Sequence, residues 1–265
     1  MRHFAKAAGL VVALALLAGA CGGSEIEPLA PPEGEELLPD LVPLPPSSIS
    51  TREEPDGLHV RFTSVLVNEG EGDFIVRAQR TGDDPWVVSQ EIPHSEAGGV
   101  EVPTDAKLVW GGDGHEHWHV ARIATYTLVA LDNEGNPVPG DLARTDTKVG
   151  FCFFDSLAIP NGRGPQAAVW NRESCGEEDA DELRMGLSLG WGDEYISTLP
   201  GQSILIGDLP DGEYRIWAEA DAEGWFKEAT LENNKTWVDI RVFELSEDRR
   251  VAQVIGTGPA PEGSN

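Results

Sequence analysis

Short runs of apolar residues, bounded by glycine, proline, asparagine or aspartate, recur along most of this 265-residue chain. Two of the clearest are Leu58–Val67, which is followed by Asn68-Glu-Gly-Glu-Gly, and Trp237–Phe243. Runs of this kind between turn-forming residues predict short β-strands, and a helical pattern is visible only weakly, over residues 176–188. The sequence therefore predicts a mainly β fold, arranged as a β-sandwich-like domain with long loops and little helix.

Four other runs have the same character and also predict strands. They are Asp73–Arg77, His115–Leu131, Ser203–Gly207 and Glu213–Glu219. The first of them follows Leu58–Val67 at a distance typical of a β-hairpin. The segment Asn133-Glu-Gly-Asn-Pro137 is rich in turn formers and predicts the turn that ends the strand at Leu131.

The first residues have the pattern of an export signal. Arg2 and Lys6 give a basic start, and Ala7–Ala20 is an apolar run too short to cross a bilayer. The small residues before Cys21 resemble the end of a bacterial lipoprotein signal, in which this cysteine becomes the lipidated first residue of the mature chain. We therefore expect the protein to be exported and lipid-anchored at the extracytoplasmic face of a bacterial membrane. An ordinary secretory signal with an unmodified Cys21 is the alternative.

Composition divides the chain into four segments. Residues 1–20 are predicted to be the signal peptide, and the acidic, Pro- and Gly-rich residues 21–37 a flexible tether. Residues 38–247 are long enough to bury one core as a single domain, with two packed parts as the alternative. The last residues, 248–265, end in Gly, Pro, Glu and Ser and are predicted to form a disordered tail.

Export and charge set two further expectations. An oxidising compartment favours a disulfide between Cys152 and Cys175, the two cysteines after the signal, with two unpaired buried thiols as the alternative. The formal net charge is −27, from 46 acidic and 19 basic residues. A surface of this charge argues against DNA or RNA as a partner and attracts cations and amines.

Three of the six histidines stand in one run, Asp113-Gly-His-Glu-His-Trp-His-Val120. Because residues i, i+2 and i+4 of a β-strand point to one face, His115, His117 and His119 would present three imidazoles together. Such a set of nitrogen ligands suits copper or zinc. A histidine-rich surface strand without a metal is the alternative.

Several segments, in the same order along the chain, resemble the lysyl oxidase family. The departures are Gly114, where animal members have a cysteine, and the small number of cysteines. The resemblance covers residues from Leu38 to about Phe243 and is carried by these segments: Leu38–Val42, Leu58–Ile75, Trp110 with the three histidines, Lys148–Cys152 followed by Asp155, Gly186–Gly190 with Asp193–Tyr195, and Glu232–Asn234.

The resemblance implies a copper-dependent amine oxidase. It implies that His115, His117 and His119 bind Cu(II), and that Lys148 and Tyr195 form the catalytic cofactor lysine tyrosylquinone. Members of the family oxidatively deaminate primary amines, such as protein lysines, to aldehydes with O₂, and they release hydrogen peroxide and ammonia. The general base of this reaction has two candidates near the cofactor segments in the sequence, Asp193 and Asp155, and each could instead be a turn or strand-edge residue.

Three other functions remain open from the residues alone. The first is a non-catalytic cell-surface lipoprotein that binds copper or zinc on the three histidines. The second is a cupin-like metalloenzyme, although no glutamate follows within Val120–Ala124. The third is a hydrolytic zinc enzyme with an open water position, for which the sequence offers no distinctive base.

Overall fold

A computed structural model describes residues 33–111, 116–138, 144–145, 150–160, 162–247 and 249–259. Over these residues the chain is mainly β, with long loops, and its helical content is one turn of 3₁₀ helix, Arg172–Cys175. The predicted fold class is therefore confirmed. In the same part of the chain, no helix is both long enough and apolar enough to span a bilayer.

The strands are, in chain order, β1 (Leu41–Pro43), β2 (Ser47–Glu54), β3 (Gly57–Asn68), β4 (Phe74–Gln79), β5 (Val87–Pro93), β6 (Gly99–Thr104), β7 (Leu108–Trp110), β8 (Trp118–Ala121), β9 (Ala124–Ala130), β10 (Arg144–Thr145), β11 (Gly150–Phe151), β12 (Leu157–Ala158), β13 (Glu182–Leu187), β14 (Trp191–Tyr195), β15 (Ser203–Leu205), β16 (Gly212–Ala220), β17 (Lys235–Ser246) and β18 (Arg249–Thr257). They form four antiparallel sheets: a six-stranded sheet around β3, a five-stranded sheet in the order β10-β9-β16-β17-β18, a four-stranded sheet β13-β4-β5-β6 and a three-stranded sheet β11-β8-β7.

Strand β3 is the centre of the six-stranded sheet because it is long enough to pair with different strands along its length. Its first half pairs with β2 on one edge and β15 on the other, and its second half pairs with β1 and β14. The register brings Tyr195, the last residue of β14, opposite Ser64. Residues 59–68 of β3 are all buried, as expected of a strand that is covered on both faces.

Two strand predictions differ from the structure in their extent or partner. The run His115–Leu131 is two strands, β8 and β9, because Arg122 adopts a positive φ of 56° and turns the chain between them. The strand after Asn68 is β4, but it pairs with β13 and β5 and not with β3. The predicted hairpin is therefore wrong, although both strands exist.

Three further predictions require correction. The segment 176–188 contains β13 and not a helix, because it pairs along its length with the buried strand β4. Residues 249–257 of the predicted disordered tail form β18, which pairs with β17 over most of its length. The predicted tether ends earlier than residue 37, since Glu33 and Glu36 form β-bridges with Ala97 and His94. Cys21 and the signal segment lie outside the described residues.

Aromatic side chains in the core hold the sheets together. Phe74 packs edge to face on Phe153 and on Phe226, with ring centroids 4.7 and 5.0 Å apart. The predicted disulfide is confirmed: Cys152 and Cys175 are bonded, and both are fully buried. It links the chain after β11 to the 3₁₀ turn, and both of these segments lie at the candidate site.

Candidate metal and cofactor site

Strand β8 places two of the three predicted histidines inside the protein. His119 lies on β8, His117 directly precedes the strand, and their side chains are 2% and 6% exposed. Their ring centroids are 4.5 Å apart, as expected for residues i and i+2 on one face of a strand. His115 lies outside the described residues. The structure therefore confirms that His117 and His119 lie together on one face and shows that both are buried, and the role of all three histidines as metal ligands stays a prediction.

The opposite face of β8 is fixed by Trp118. Its ring packs edge to face against Trp86 and Trp110, and the guanidinium of Arg80 lies 4.8 Å from its centroid. The indole Nε1–H donates to the backbone carbonyl of Glu177 at 3.0 Å. These contacts hold the strand with its two histidines turned towards the interior.

Tyr195 is buried and is held by the last residue of β11 and by the residue after it; β11 is the strand that pairs with β8. The amide N–H of Cys152 donates to the Tyr195 hydroxyl at 3.0 Å, and the ring of Phe151 packs against the tyrosine ring with centroids 4.6 Å apart. Strand β11 can lie this close to β8 because Gly150 has no side chain: a Cβ there would stand 2.3 Å from the carbonyl oxygen of Val120.

The histidines and the tyrosine meet in one place, which we name the histidine–tyrosine site (His117, His119 and Tyr195). The centroids of the His119 and Tyr195 rings are 6.4 Å apart. Two buried imidazoles are a donor set that suits Cu(II) or Zn(II), so these residues fit the implied metal. Lys148 lies outside the described residues, three positions before Phe151 in the sequence, and its role stays a prediction.

A residue that sequence reasoning missed also contacts this site. Arg172, in the 3₁₀ turn, donates its Nε–H to Nδ1 of His117 at 3.3 Å. The turn is tied to Cys152 through Cys175, so the same disulfide joins the partner of His117 to the partner of Tyr195. The two residues of this contact are 55 positions apart, which is why no local pattern reveals it.

The two carboxylates that were candidates for a general base have different surroundings. Asp193 is completely buried on β14, on the same face as Tyr195 because the two residues are at i and i+2. Asp155 instead accepts hydrogen bonds from the amides of Val169, Trp170 and Ser188 and from the Ser188 hydroxyl. Asp155 therefore holds two loops together through hydrogen bonds. Of the two carboxylates, Asp193 is the better candidate for the base.

The loop-fastening role of Asp155 gives a testable stability prediction. Asp155→Asn replaces one acceptor oxygen by an NH₂ group that faces backbone donors, so we expect the free energy of unfolding to fall by about 2–4 kcal/mol. Denaturant unfolding followed by tryptophan fluorescence would measure this. Asp83→Asn, at an exposed loop position, is the matched control. Equal stability of the two variants would show that Asp155 is not a structural fastener.

A second cluster, which the sequence did not predict as a site, consists of Asp40, Glu228, Asn233 and Asn234 (the carboxylate–amide cluster). The Asn233 amide donates to Asp40 at 2.9 Å, and the Asn234 amide donates to Glu228 at 2.8 Å. Glu228 also accepts from the N–H of Leu41. Among the residues that the structure describes, no hydrogen-bond donor contacts the buried Oδ1 atoms of Asp40, Asn233 and Asn234.

Burial disfavours the charged forms of the carboxylates in and beside the carboxylate–amide cluster. Burial, together with the neighbouring carboxylates of Asp221 and Asp40, raises the pKa of Glu228 to about 7. Burial likewise raises the pKa of Asp40 and of Asp221. Carboxylates and amide oxygens are the ligands that Ca²⁺ prefers, and a cation among them would favour their charged forms.

A third group near the β2–β3 turn could also hold a metal ion. One ligand atom each from Glu54, Asp56 and His59 lies within 4.8 Å of the others. His59 is buried, with Nδ1 3.1 Å from the Ser203 hydroxyl and Nε2 2.9 Å from Asp56. Glu54 is also ion-paired with Arg61, which competes with a cation for this carboxylate.

Comparison with known proteins gives no further identification. No family model matches the chain, and neither does any curated protein. The assignment of function therefore depends on the motifs in the sequence and on the geometry of the histidine–tyrosine site.

Proposed function

We propose that the protein is a copper-dependent amine oxidase that converts primary amines, such as protein lysines, to aldehydes. The observation that carries this proposal is the burial of Tyr195 beside His119, with its hydroxyl held by the Cys152 amide. A tyrosine with a purely structural role has no need of a buried histidine 6.4 Å from its ring, next to a second buried histidine. A tyrosine that a metal must oxidise has such a need.

The residues of the proposed site would have distinct roles. His117 and His119, with His115, would hold Cu(II), and Tyr195 and Lys148 would be joined as lysine tyrosylquinone. When formed, these groups supply the electron sink and the reaction with O₂. Lys148 stands three positions before Phe151 in the sequence, and the ring of Phe151 contacts the ring of Tyr195.

The chain's own side chains would orient the reacting groups and move protons. The Cys152 amide and the Phe151 ring fix Tyr195, and the buried Asp193 on the same face is the base that would take a proton from the substrate carbon. Lys148 must be deprotonated to join the tyrosine ring, which a cationic metal or burial would favour by lowering its pKa.

The overall reaction consumes one amine, one O₂ and one water, and it yields one aldehyde, one hydrogen peroxide and one ammonia. We expect copper-loaded protein to release peroxide and aldehyde in equal amounts from a primary amine, and zinc-loaded protein to release neither. A peroxide-coupled assay with n-butylamine tests this. Copper uptake without any peroxide would contradict the proposal and favour the alternative, a copper- or zinc-binding lipoprotein of the cell surface.

A second proposed function is the binding of a structural Ca²⁺ by the carboxylate–amide cluster. The buried oxygens of Asp40, Asn233 and Asn234 that lack a donor among the described residues favour it. A rotation of both asparagine amides by 180° would turn their oxygens towards Asp40 and Glu228 in place of the NH₂ groups, and the cluster would then present only oxygen ligands. The ion would join the chain before β1 to the loop before β17.

If the carboxylate–amide cluster binds Ca²⁺, the thermal stability of the protein should depend on calcium. With Ca²⁺ at about 100 times its Kd, we expect the melting temperature to rise by about 5–10 °C relative to protein in chelator. Differential scanning calorimetry would measure the change. Glu228→Gln should remove the calcium effect, whereas Glu213→Gln, at a residue ion-paired with Arg241, should keep it. Equal melting temperatures of the natural protein with and without Ca²⁺ would contradict the assignment.

A further inference from the structure

The contact between Arg172 and His117 limits how His117 can bind a metal. The guanidinium is always protonated, so its Nε–H can only donate, and Nδ1 of His117 must accept with its lone pair. A neutral imidazole has one nitrogen with a lone pair and one with a proton. While this contact exists, the ring proton is therefore on Nε2.

Coordination through either nitrogen is incompatible with the contact. If a metal binds at Nδ1, it takes the lone pair that Arg172 uses. If a metal binds at Nε2, the proton moves to Nδ1, and two N–H groups then face each other. In most metal sites the second nitrogen of a ligand histidine donates to a carbonyl or a carboxylate, and an arginine at this position is the opposite arrangement.

We propose that Arg172 is a positioning residue that competes with the metal: it occupies Nδ1 of His117 in the metal-free protein and must leave when copper or zinc binds. This inference rests on the metal site of the proposed function. Arg172 is an exposed residue, so its side chain can turn into solvent. Its backbone stays in place, because Cys175 ends the same turn and is bonded to Cys152.

Because Arg172 competes with the metal, it should lower the metal affinity of the protein, and replacing Arg172 should raise that affinity. Arg172→Met deletes the donor and its positive charge, so we expect the full-length protein to bind Cu(II) and Zn(II) about tenfold more tightly. Arg241→Met is the matched control, since it removes one exposed arginine that is ion-paired with Glu213 on the five-stranded sheet. Competition titration against a chromogenic chelator would give the affinities.

A second measurement on the unaltered protein avoids any effect of mutation on folding. In ¹⁵N NMR spectra, the Nε–H of Arg172 and the ring nitrogens of His117 should both change when Zn(II) saturates the protein, as the hydrogen bond breaks. An unchanged Arg172 signal at saturation would overturn the inference, as would an Arg172→Met affinity no higher than that of Arg241→Met. If the unaltered protein binds neither metal, the proposed function itself fails.

Discussion

Tyr195→Phe is expected to abolish amine oxidation while copper binding is retained. Phenylalanine lacks the hydroxyl from which the quinone would be built, so turnover should fall by more than about 1,000-fold, a loss equivalent to about 4 kcal/mol of transition-state stabilisation. Peroxide release from n-butylamine and copper content would be measured on the same preparation. The substitution also leaves the buried Cys152 amide without its acceptor, which should cost about 1–3 kcal/mol of stability.

The chain contains matched controls for this substitution, because its other two tyrosines are also buried. Tyr126 packs against Phe62 in the core, and Tyr214 donates its hydroxyl to the carbonyl of Pro210. Tyr126→Phe and Tyr214→Phe should both retain amine oxidation. Full activity in Tyr195→Phe, or an equal loss in all three variants, would remove Tyr195 from the chemistry.

His117→Ala is expected to abolish tight copper binding. Loss of an outer-shell partner of a metal ligand typically costs 10- to 100-fold in affinity, so loss of a ligand should cost more than about 100-fold. Because the quinone needs the metal to form, the variant should also show no oxidase activity. Isothermal titration with Cu(II) in a competing buffer would measure the affinity.

The control is His94→Ala, at a histidine after β5 whose ring contacts the backbone of Gly34. This variant should bind copper as the unaltered protein does. A His117→Ala variant with undiminished affinity would show that the metal is held elsewhere, and the group Glu54, Asp56 and His59 would then be the next site to test by mutation.

The strands were predictable where the signal is local. Strands β3, β16 and β17 follow from apolar runs between turn formers, which need no knowledge of distant residues. The pairing of β3 with β14 and β15, which are more than 100 positions away, does not follow from any local pattern. The break between β8 and β9 was not predictable, because it depends on a positive φ at Arg122, a residue type that rarely adopts one. Strand β18 was also missed, because the Gly, Pro, Glu and Ser residues that follow it indicated a disordered tail, whereas its residues pair with β17.

At the candidate site, too, local relations were predictable and long-range contacts were not. The alternation of His117 and His119 predicted their shared face, because that relation spans only two residues. The hydrogen-bond partners of His117 and Tyr195 could be identified only from the fold. Arg172 is 55 positions from His117 in the sequence, and Cys152 is 43 positions from Tyr195. Only the resemblance to lysyl oxidases, and no property of the local sequence, indicated that Tyr195 belongs with the histidines.

The most direct test of the account is mass spectrometry of a proteolytic digest of copper-loaded, O₂-exposed protein. We expect the peptide containing Lys148 and the peptide containing Tyr195 to be recovered as one covalently joined species. Protein loaded with zinc, or with copper in the absence of O₂, should give the two peptides separately. Recovery of both peptides unmodified from fully copper-loaded, O₂-exposed protein would contradict the assignment as an amine oxidase.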